Sequence, residues 1–327
     1  MARYKNYKDA KNSERPLEIE FDYDSTDSPA NSAQATPSPV PKNWPVAKTG
    51  KGLVFMSFGS GSSGNCAYLG TPRGGILIDA GIDPNTVFRA LARNGITPDM
   101  VKGVILTHDH QDHVRYVYPC VTRTPRRVYC TPRVMKGLLR RHSISRRVQD
   151  YHDAIFKEIP FRVMDMEITA FETSHDGSDN MGFSIEYGGE RFVIATDMGI
   201  ITERAAHYMQ QANYLMIESN YDYDMLVNGS YPQMLKDRVM RDIGHLDNKV
   251  AAKFVADNYH EKLNYVFLCH LSDNNNTPEV ATAEMRQALE AKGLTVGDGS
   301  YAADQRNRDV QVYALPRSVP SSWFFLD

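Results

Sequence analysis

Residues 101–114 read VKGVILTHDHQDHV, an apolar run that ends in three histidines and two aspartates packed into six residues. The run has the length and β-branched content of a buried strand. The cluster lacks i, i+4 spacing, so His108, His110, Asp112 and His113 do not share one helix face. They suit a turn just past a strand end, where imidazole nitrogens and carboxylate oxygens converge on a divalent cation. Alternation lets His108 and His110 face one pocket while Asp112 and His113 turn toward a neighbouring one, which points to two metals. A single turn cannot close two sites. Other strand ends must deliver the remaining ligands, and that demand constrains the topology more than any other feature of the chain.

The candidates are present. ILID ends at Asp79, MEITAFETS leads to His175, FVIAT to Asp197, YLMI to Glu218 and YVFLC to His270. Strand ends aligned along one sheet edge would gather them. LVFMSF and GGILID read as strands, with a glycine-rich turn, GSGSSGN (59–65), after the first. Asp83 reads as the cap and Pro84 as the first residue of a helix through Asn94, with Gly95 just past its end. MGFSIEY, Gly188-Gly189 and ERFVIAT read as a hairpin. Helical patterns cover about 202–211, 233–242, 248–260 and 278–292, and DVQVYAL alternates like a last strand. Strands and helices without strict alternation indicate an α/β chain of packed sheets with helices outside.

With 42% apolar and 24% charged residues in 327, most of the chain can bury a core. Residues 1–47 differ, being rich in Ser, Pro, Asp and Asn with few large apolar side chains. They read as a disordered tail, either a plain extension or a partner-binding segment. No apolar run approaches the roughly 20 residues that span a bilayer, and the N-terminus has no apolar signal region. The four cysteines are scattered without a CxxC pair, which suits reduced thiols and a cytoplasmic location.

HDHQDH matches the HxHxDH signature of the metallo-β-lactamase superfamily, and Asp79, His175, Asp197 and His270 match its other motifs in order. More narrowly, SFGSGSSGNCAYLG, ILIDAGI, IATDMGI, IESNYD, GHLDN and CHLSDNNNTPE resemble the YycJ-type branch, whose members are described as DNA exonucleases or as metal-dependent hydrolases. The resemblance covers about 52–316 and implies a single domain, 48–327, folded as an αββα sandwich of two mixed sheets with flanking helices. It implies one metal on His108, His110 and His175, and a second on Asp112, His113 and His270. Asp197 would bridge them, and Asp79 would orient a ligand histidine through its far ring nitrogen. Zinc or manganese fits these ligands, and iron is compatible. Two such ions roughly 3.5–4 Å apart clamp a water and lower its pKa, giving a bridging hydroxide that attacks the substrate. Besides Asp112, the expected catalytic residues are His245, as proton donor or phosphate contact, and Glu218, as the group that orients His245 or positions a ligand. Each has a plain alternative: a loop histidine before a helix capped by Asp247, and a purely structural role for Glu218; for Asp79 it is a solvated strand-end carboxylate. The 59–65 turn could cradle a phosphate or be only a turn.

Two observations bear on substrate. Val114–Gln149 carries ten cations and no acid: Arg115, Arg123, Arg126, Arg127, Arg133, Lys136, Arg140, Arg141, Arg146 and Arg147. On a chain of net charge −3 that stretch points to a phosphate backbone, with Arg126, Arg127, Arg133, Lys136, Arg140, Arg141, Arg146 and Arg147 as the nucleic-acid contacts. A solvated helix face is the alternative. Asp197 and His270 are 73 residues apart, which leaves no room for the extra domain of some RNA-processing relatives. The expectation is a dinuclear phosphodiesterase or nuclease acting on DNA or RNA. A small-molecule hydrolase of a thioester, lactone or cyclic nucleotide is the second reading, and a regulatory protein with a vestigial site is a distant third.

Overall fold

The computed structural model describes residues 52–123, 127–300, 302, 304–305 and 307–326. The expected tail, residues 1–47, and Arg126 lie outside the described residues.

Two mixed sheets form the molecule's centre. The first holds β1 (Leu53–Gly61), β2 (Gly64–Thr71), β3 (Gly74–Ile78), β4 (Val101–Ile105), β5 (Val128–Cys130), β6 (His152–Ala154) and the last strand, β15 (Phe324–Leu326), in the order β15-β1-β2-β3-β4-β5-β6. The second holds β7 (Phe161–Val163), β8 (Met166–Glu172), β9 (Met181–Tyr187), β10 (Glu190–Ala195), β11 (Tyr214–Glu218), β12 (Tyr265–Cys269), β13 (Val296–Gly297) and β14 (Val310–Ala314), in the order β13-β14-β12-β11-β10-β9-β8-β7. Helices α1 (Pro84–Arg93), α2 (Gln111–Val114), α3 (Val117–Val121) and α4 (Pro132–Leu139) belong to the first half of the chain. Helices α5 (Glu203–Met209), α6 (Tyr223–Asn228), α7 (Gln233–Val239), α8 (Asn248–Asp257) and α9 (Pro278–Glu290) belong to the second.

The near-continuous apolar strands of the second sheet follow from burial on both faces. Successive side chains point to opposite faces. Phe192 and Ile194 of β10, Met216 of β11 and Phe267 of β12 therefore join one core with Phe55 of β1. Val193, Ala195, Leu215, Ile217, Val266 and Leu268 join another, with Ala251 and Val255 of α8 and Met285 and Leu289 of α9. Phe55 sits between the sheets, its ring centroid 5.0 Å from Phe192 and 4.8 Å from Phe267. This is the αββα sandwich that the resemblance implies.

Direction matters more than count for the site. β3 and β4 pair in parallel, as do β10, β11 and β12. β8 and β10 both run antiparallel to β9. The C-terminal ends of β8, β10, β11 and β12 thus lie at one edge of their sheet, and those of β3 and β4 at one edge of theirs.

The hairpin at Gly188-Gly189 forms as expected, with φ of 61° and 88°. GSGSSGN differs from expectation. Gly61 pairs with Gly64, so only Ser62 and Ser63 make the turn and the rest is strand ladder. The helices expected at 233–242 and 248–260 are shorter, because α7 stops at Val239 and α8 at Asp257. Beyond α7 the chain folds back, and the His245 N–H donates to the Val239 carbonyl. A Cβ on Gly244 would lie 2.2 Å from that carbonyl oxygen, so only glycine permits the turn.

Candidate metal centre

Each strand end contributes one or more polar side chains to a single edge. Asp79 follows β3, His108 lies three residues past β4, His175 three past β8, Asp197 two past β10, Glu218 ends β11 and His270 follows β12. Asp79, Asp197 and His270 adopt left-handed backbone, with φ of 59°, 54° and 56°. Non-glycine residues rarely adopt this conformation, and it is held only where the surroundings over-determine it. Here the turn out of each strand swings the side chain back over the edge.

Two donor sets result. His108, His110 and His175 place one ring nitrogen each within 4.8 Å of one another, and so do the donors of Asp112, His113 and His270. Asp197 lies between them. Its Oδ2 is 3.7 Å from His108 Nε2, 3.6 Å from His175 Nε2 and 3.4 Å from His113 Nε2. The structure thus brings together all seven residues expected as ligands.

Hydrogen bonds at the far ring nitrogens set which nitrogen faces the centre. His113 Nδ1 bonds Asp79 Oδ2 at 2.7 Å, leaving Nε2 inward. Asp79 in turn accepts from the backbone and hydroxyl of Thr107, and that hydroxyl lies 3.0 Å from His108 Nδ1. His175 Nδ1 donates to the Gly244 carbonyl at 2.9 Å. His110 is turned the other way: Nε2 lies 3.2 Å from Asp176 and Nδ1 faces His175 Nε2 at 3.2 Å. Glu218 is fully buried and serves two rings. Its Oε1 accepts from His245 Nδ1 at 2.7 Å and His270 Nδ1 at 3.1 Å, and its Oε2 from the Met198 N–H at 2.7 Å. It therefore touches both kinds of partner expected of it, His245 and a candidate ligand histidine, His270.

The residues fit divalent cations on an observation independent of any relative. His108 Nε2 and His270 Nε2 are buried without a hydrogen-bond partner. The nearest carboxylate oxygens are 3.7 Å and 3.5 Å away. An orphaned buried polar atom costs about 1–3 kcal/mol, and a metal ion satisfies such a nitrogen. The electrostatics agree. Burial, then His113, pushes His108 down, so it is a neutral imidazole with a lone pair to give. Burial opposes charge on His270 too, but Asp197, Asp112 and Glu218 outweigh it and hold the ring at about 10. His113 is likewise held up by Asp197, Asp79 and Asp112 against the effect of burial. The edge is an anionic well that attracts cations, protons included.

Above the donors lies an open cleft of about 200 Å³. His110, Asp112, His175, Asp197, His245 and His270 line it, with Ser62, Asp176, Leu235, Arg238, Val239 and Gly244. Ser62 is the part of the 59–65 segment that lines the cleft; apart from Ser63, its partner in the turn, the rest is committed to the strand ladder. Gly81 is what lets the β3–α1 turn pass beneath Asp112, since a Cβ there would lie 1.6 Å from the Asp112 carbonyl oxygen.

The described residues of the basic stretch lie outside the cleft. None of Arg127, Arg133, Lys136, Arg140, Arg141, Arg146 and Arg147 lines the cleft. Acids just outside the stretch meet three of them: Arg127 pairs with Asp153 at 3.1 Å, Arg141 with Asp109 at 3.9 Å and Arg147 with Asp150 at 4.0 Å. Arg127 precedes β5, at the sheet edge opposite the donors. Arg133 and Lys136 lie on α4, and Arg140 and Arg141 directly after it. α4 packs near the HDHQDH turn, where a Cβ on Gly137 would meet Asp109 Oδ2 at 2.1 Å.

Four contributors were not singled out from sequence: Thr107, Asn65, Asp176 and Arg238. Asn65 Nδ2 lies 3.2 Å from Asp112 Oδ2 and 3.0 Å from His113 Nε2. Thr107 and Asp176 adjoin ligands in the chain, a usable signal; Asn65 and Arg238 come from distant segments.

Known proteins share these features. A family model described as "Beta-lactamase superfamily domain" matches residues 75–267. The exodeoxyribonuclease YycJ of Bacillus anthracis is 31% identical over 248 residues, covering 76% of this chain and 93% of that protein. The exodeoxyribonuclease WalJ of Streptococcus pneumoniae is 29% identical over 247 residues, covering 75% and 91%. Among solved structures, the metallo-β-lactamase fold protein YhfI of Bacillus subtilis superposes with a TM-score of 0.59 over 84% of this chain and 99% of its own, at 14% identity, a likeness of fold alone. With the strand-end donors, the αββα sandwich and the matched family model in agreement, the chain belongs to the metallo-β-lactamase superfamily, in its YycJ-type branch of metal-dependent hydrolases.

Proposed function

We propose that the chain is a dinuclear metal-dependent phosphodiesterase that degrades DNA as an exonuclease. The observation that carries this is the meeting of two three-residue donor sets at Asp197. The names of relatives that align over nine-tenths of their length support the choice of substrate. His108, His110 and His175 would hold one ion, Asp112, His113 and His270 the other, and Asp197 would be shared by both; zinc and manganese suit this mixture of nitrogen and oxygen. When bound, such a pair supplies Lewis acidity at a phosphoryl oxygen and lowers the pKa of a water. The protein's own part is positioning. Asp79 and Glu218 fix the rings of His113 and His270. Glu218 also holds His245 by Nδ1, leaving Nε2 as its free ring nitrogen at the cleft, the atom that hands a proton to the leaving oxygen. The cleft is smaller than the roughly 300–1,000 Å³ of most ligand pockets, which supports attack at the end of a DNA strand rather than on an enclosed substrate. Of the basic stretch, Arg133, Lys136, Arg140 and Arg141 lie on α4 or directly after it, beside the metal turn, and we assign them to that strand. We place the protein in the cytoplasm; all four cysteines are free thiols, and no helix among the described residues is long and apolar enough to cross a membrane.

The small cleft and the absence of the basic stretch from its lining favour a second reading, hydrolysis of a small molecule. One panel separates the two. Protein loaded with Zn²⁺ or Mn²⁺ meets single- and double-stranded DNA, RNA, a cyclic nucleotide and a thioester. Mononucleotide release from DNA at the earliest times is expected. Thioester or cyclic-nucleotide hydrolysis with intact DNA refutes the proposal.

A further inference from the structure

Arg238 sits on α7, within the segment that joins Glu218 to His245. It lines the cleft with His110, His245 and His270, and among the described residues it is the one lysine or arginine that does. Its guanidinium holds Asp176 Oδ2 with Nη2 at 2.9 Å and Nε at 3.3 Å. The side chain is 61% exposed, so this pair is wet and exchanges at little cost. Asp176 is not left alone if the pair opens, because its other oxygen lies 3.2 Å from His110 Nε2. A guanidinium matches two oxygens of a phosphate in the same forked manner as a carboxylate.

We propose that Arg238 is the specificity-determining residue for phosphodiesters: it exchanges Asp176 for the non-bridging oxygens of the substrate phosphate, while Asp176 keeps its hold on His110. The proposal rests on the phosphodiesterase reading and refines it. The metal centre polarises any ester, but an uncharged ester gives Arg238 no reason to leave Asp176. Arg238 thus supplies a preference for charge that the donor sets do not.

The test uses the full, metal-loaded chain and two readouts. With thymidine 5′-(p-nitrophenyl) phosphate, Arg238→Ala raises KM roughly 10- to 100-fold and changes kcat less than about threefold. Arg238→Lys keeps the charge but loses the fork, and recovers only part of that rise. The second readout is fluorescence anisotropy of a phosphorothioate oligothymidylate, which resists cleavage, across a salt series. Loss of one phosphate contact lowers the slope of log affinity against log salt by about 0.7 in Arg238→Ala, and Arg238→Lys restores it. An unchanged KM in an active variant, or an unchanged salt slope, overturns the assignment. Failure of the unaltered protein to cleave any phosphodiester would instead overturn the proposed function, and the anisotropy arm would still decide the role of Arg238.

Discussion

Replacing Glu218 by glutamine changes one atom's chemistry and almost no volume. The carboxylate has three donors on it: Met198 N–H on Oε2, and His245 Nδ1 and His270 Nδ1 on Oε1. Both rings therefore carry a proton on Nδ1, and His270 points Nε2 toward Asp112. The glutamine oxygen stays with the backbone N–H, which can only donate. Its NH₂ then faces the two Nδ1 atoms and turns them into acceptors. The ring protons move to Nε2, and a His270 with a proton on Nε2 cannot ligate there. Replacing a partner of this kind typically costs 10- to 100-fold in metal affinity, or about 1.4–2.8 kcal/mol. The loss should fall on one site. His108 and His175 are backed by the Thr107 hydroxyl and the Gly244 carbonyl, which the substitution does not touch. Zn²⁺ titration against a chromophoric chelator resolves the two constants. The expected result is a drop in one constant with the other within about threefold of its original value. Two unchanged constants, or equal losses in both, would refute the tautomer argument.

Three further predictions follow from the same geometry. Asp197→Ala removes the oxygen shared by both donor sets and should abolish binding at each; elemental analysis showing two bound ions per chain would contradict the shared role. Since neighbouring carboxylates raise His113 and His270 above the ordinary histidine value, His270 to about 10, both are protonated at neutral pH and a metal must displace those protons; affinity then rises with pH, by up to tenfold per unit for each proton displaced, and calorimetry in buffers of different ionisation enthalpy that finds no proton release counts against it. Phe55→Ala should destabilise the chain by about 3–5 kcal/mol, because that ring is fully buried against Phe192 and Phe267; a urea midpoint unchanged at constant m-value would mean the sheets do not depend on it.

The residues of the candidate centre were legible in the sequence for a physical reason. Buried strands announce themselves as apolar runs, and a histidine or acid at the end of such a run, or within three residues of it, has few purposes. Asp79, His175, Asp197, Glu218 and His270 all stand at that position. Charge was harder to read. The stretch from Val114 to Gln149 has no acid of its own, yet Asp109 and Asp153 meet Arg141 and Arg127 in space, because the metal turn and β6 pack beside it, while Asp150, one residue past its end, pairs with Arg147 along the chain. Charge balance is a property of volume, and a linear window misses it. Asp176 and Arg238 illustrate the converse. Neither ends an apolar run, and the value of Arg238 lies wholly in where α7 is carried by the turn at Gly244.

Each donor set is drawn from both sheets. His108 and His110 come from the first and His175 from the second; Asp112 and His113 come from the first and His270 from the second, with Asp197 common to both. During synthesis, HDHQDH leaves the ribosome 157 residues before His270. At 5–20 residues per second that interval is roughly 8–30 s. Through it the nascent chain carries four of the seven proposed ligands without the residues that would complete either donor set. On the proposed assignment neither donor set is complete until the second sheet docks, so metal uptake would mark the completion of assembly rather than its start.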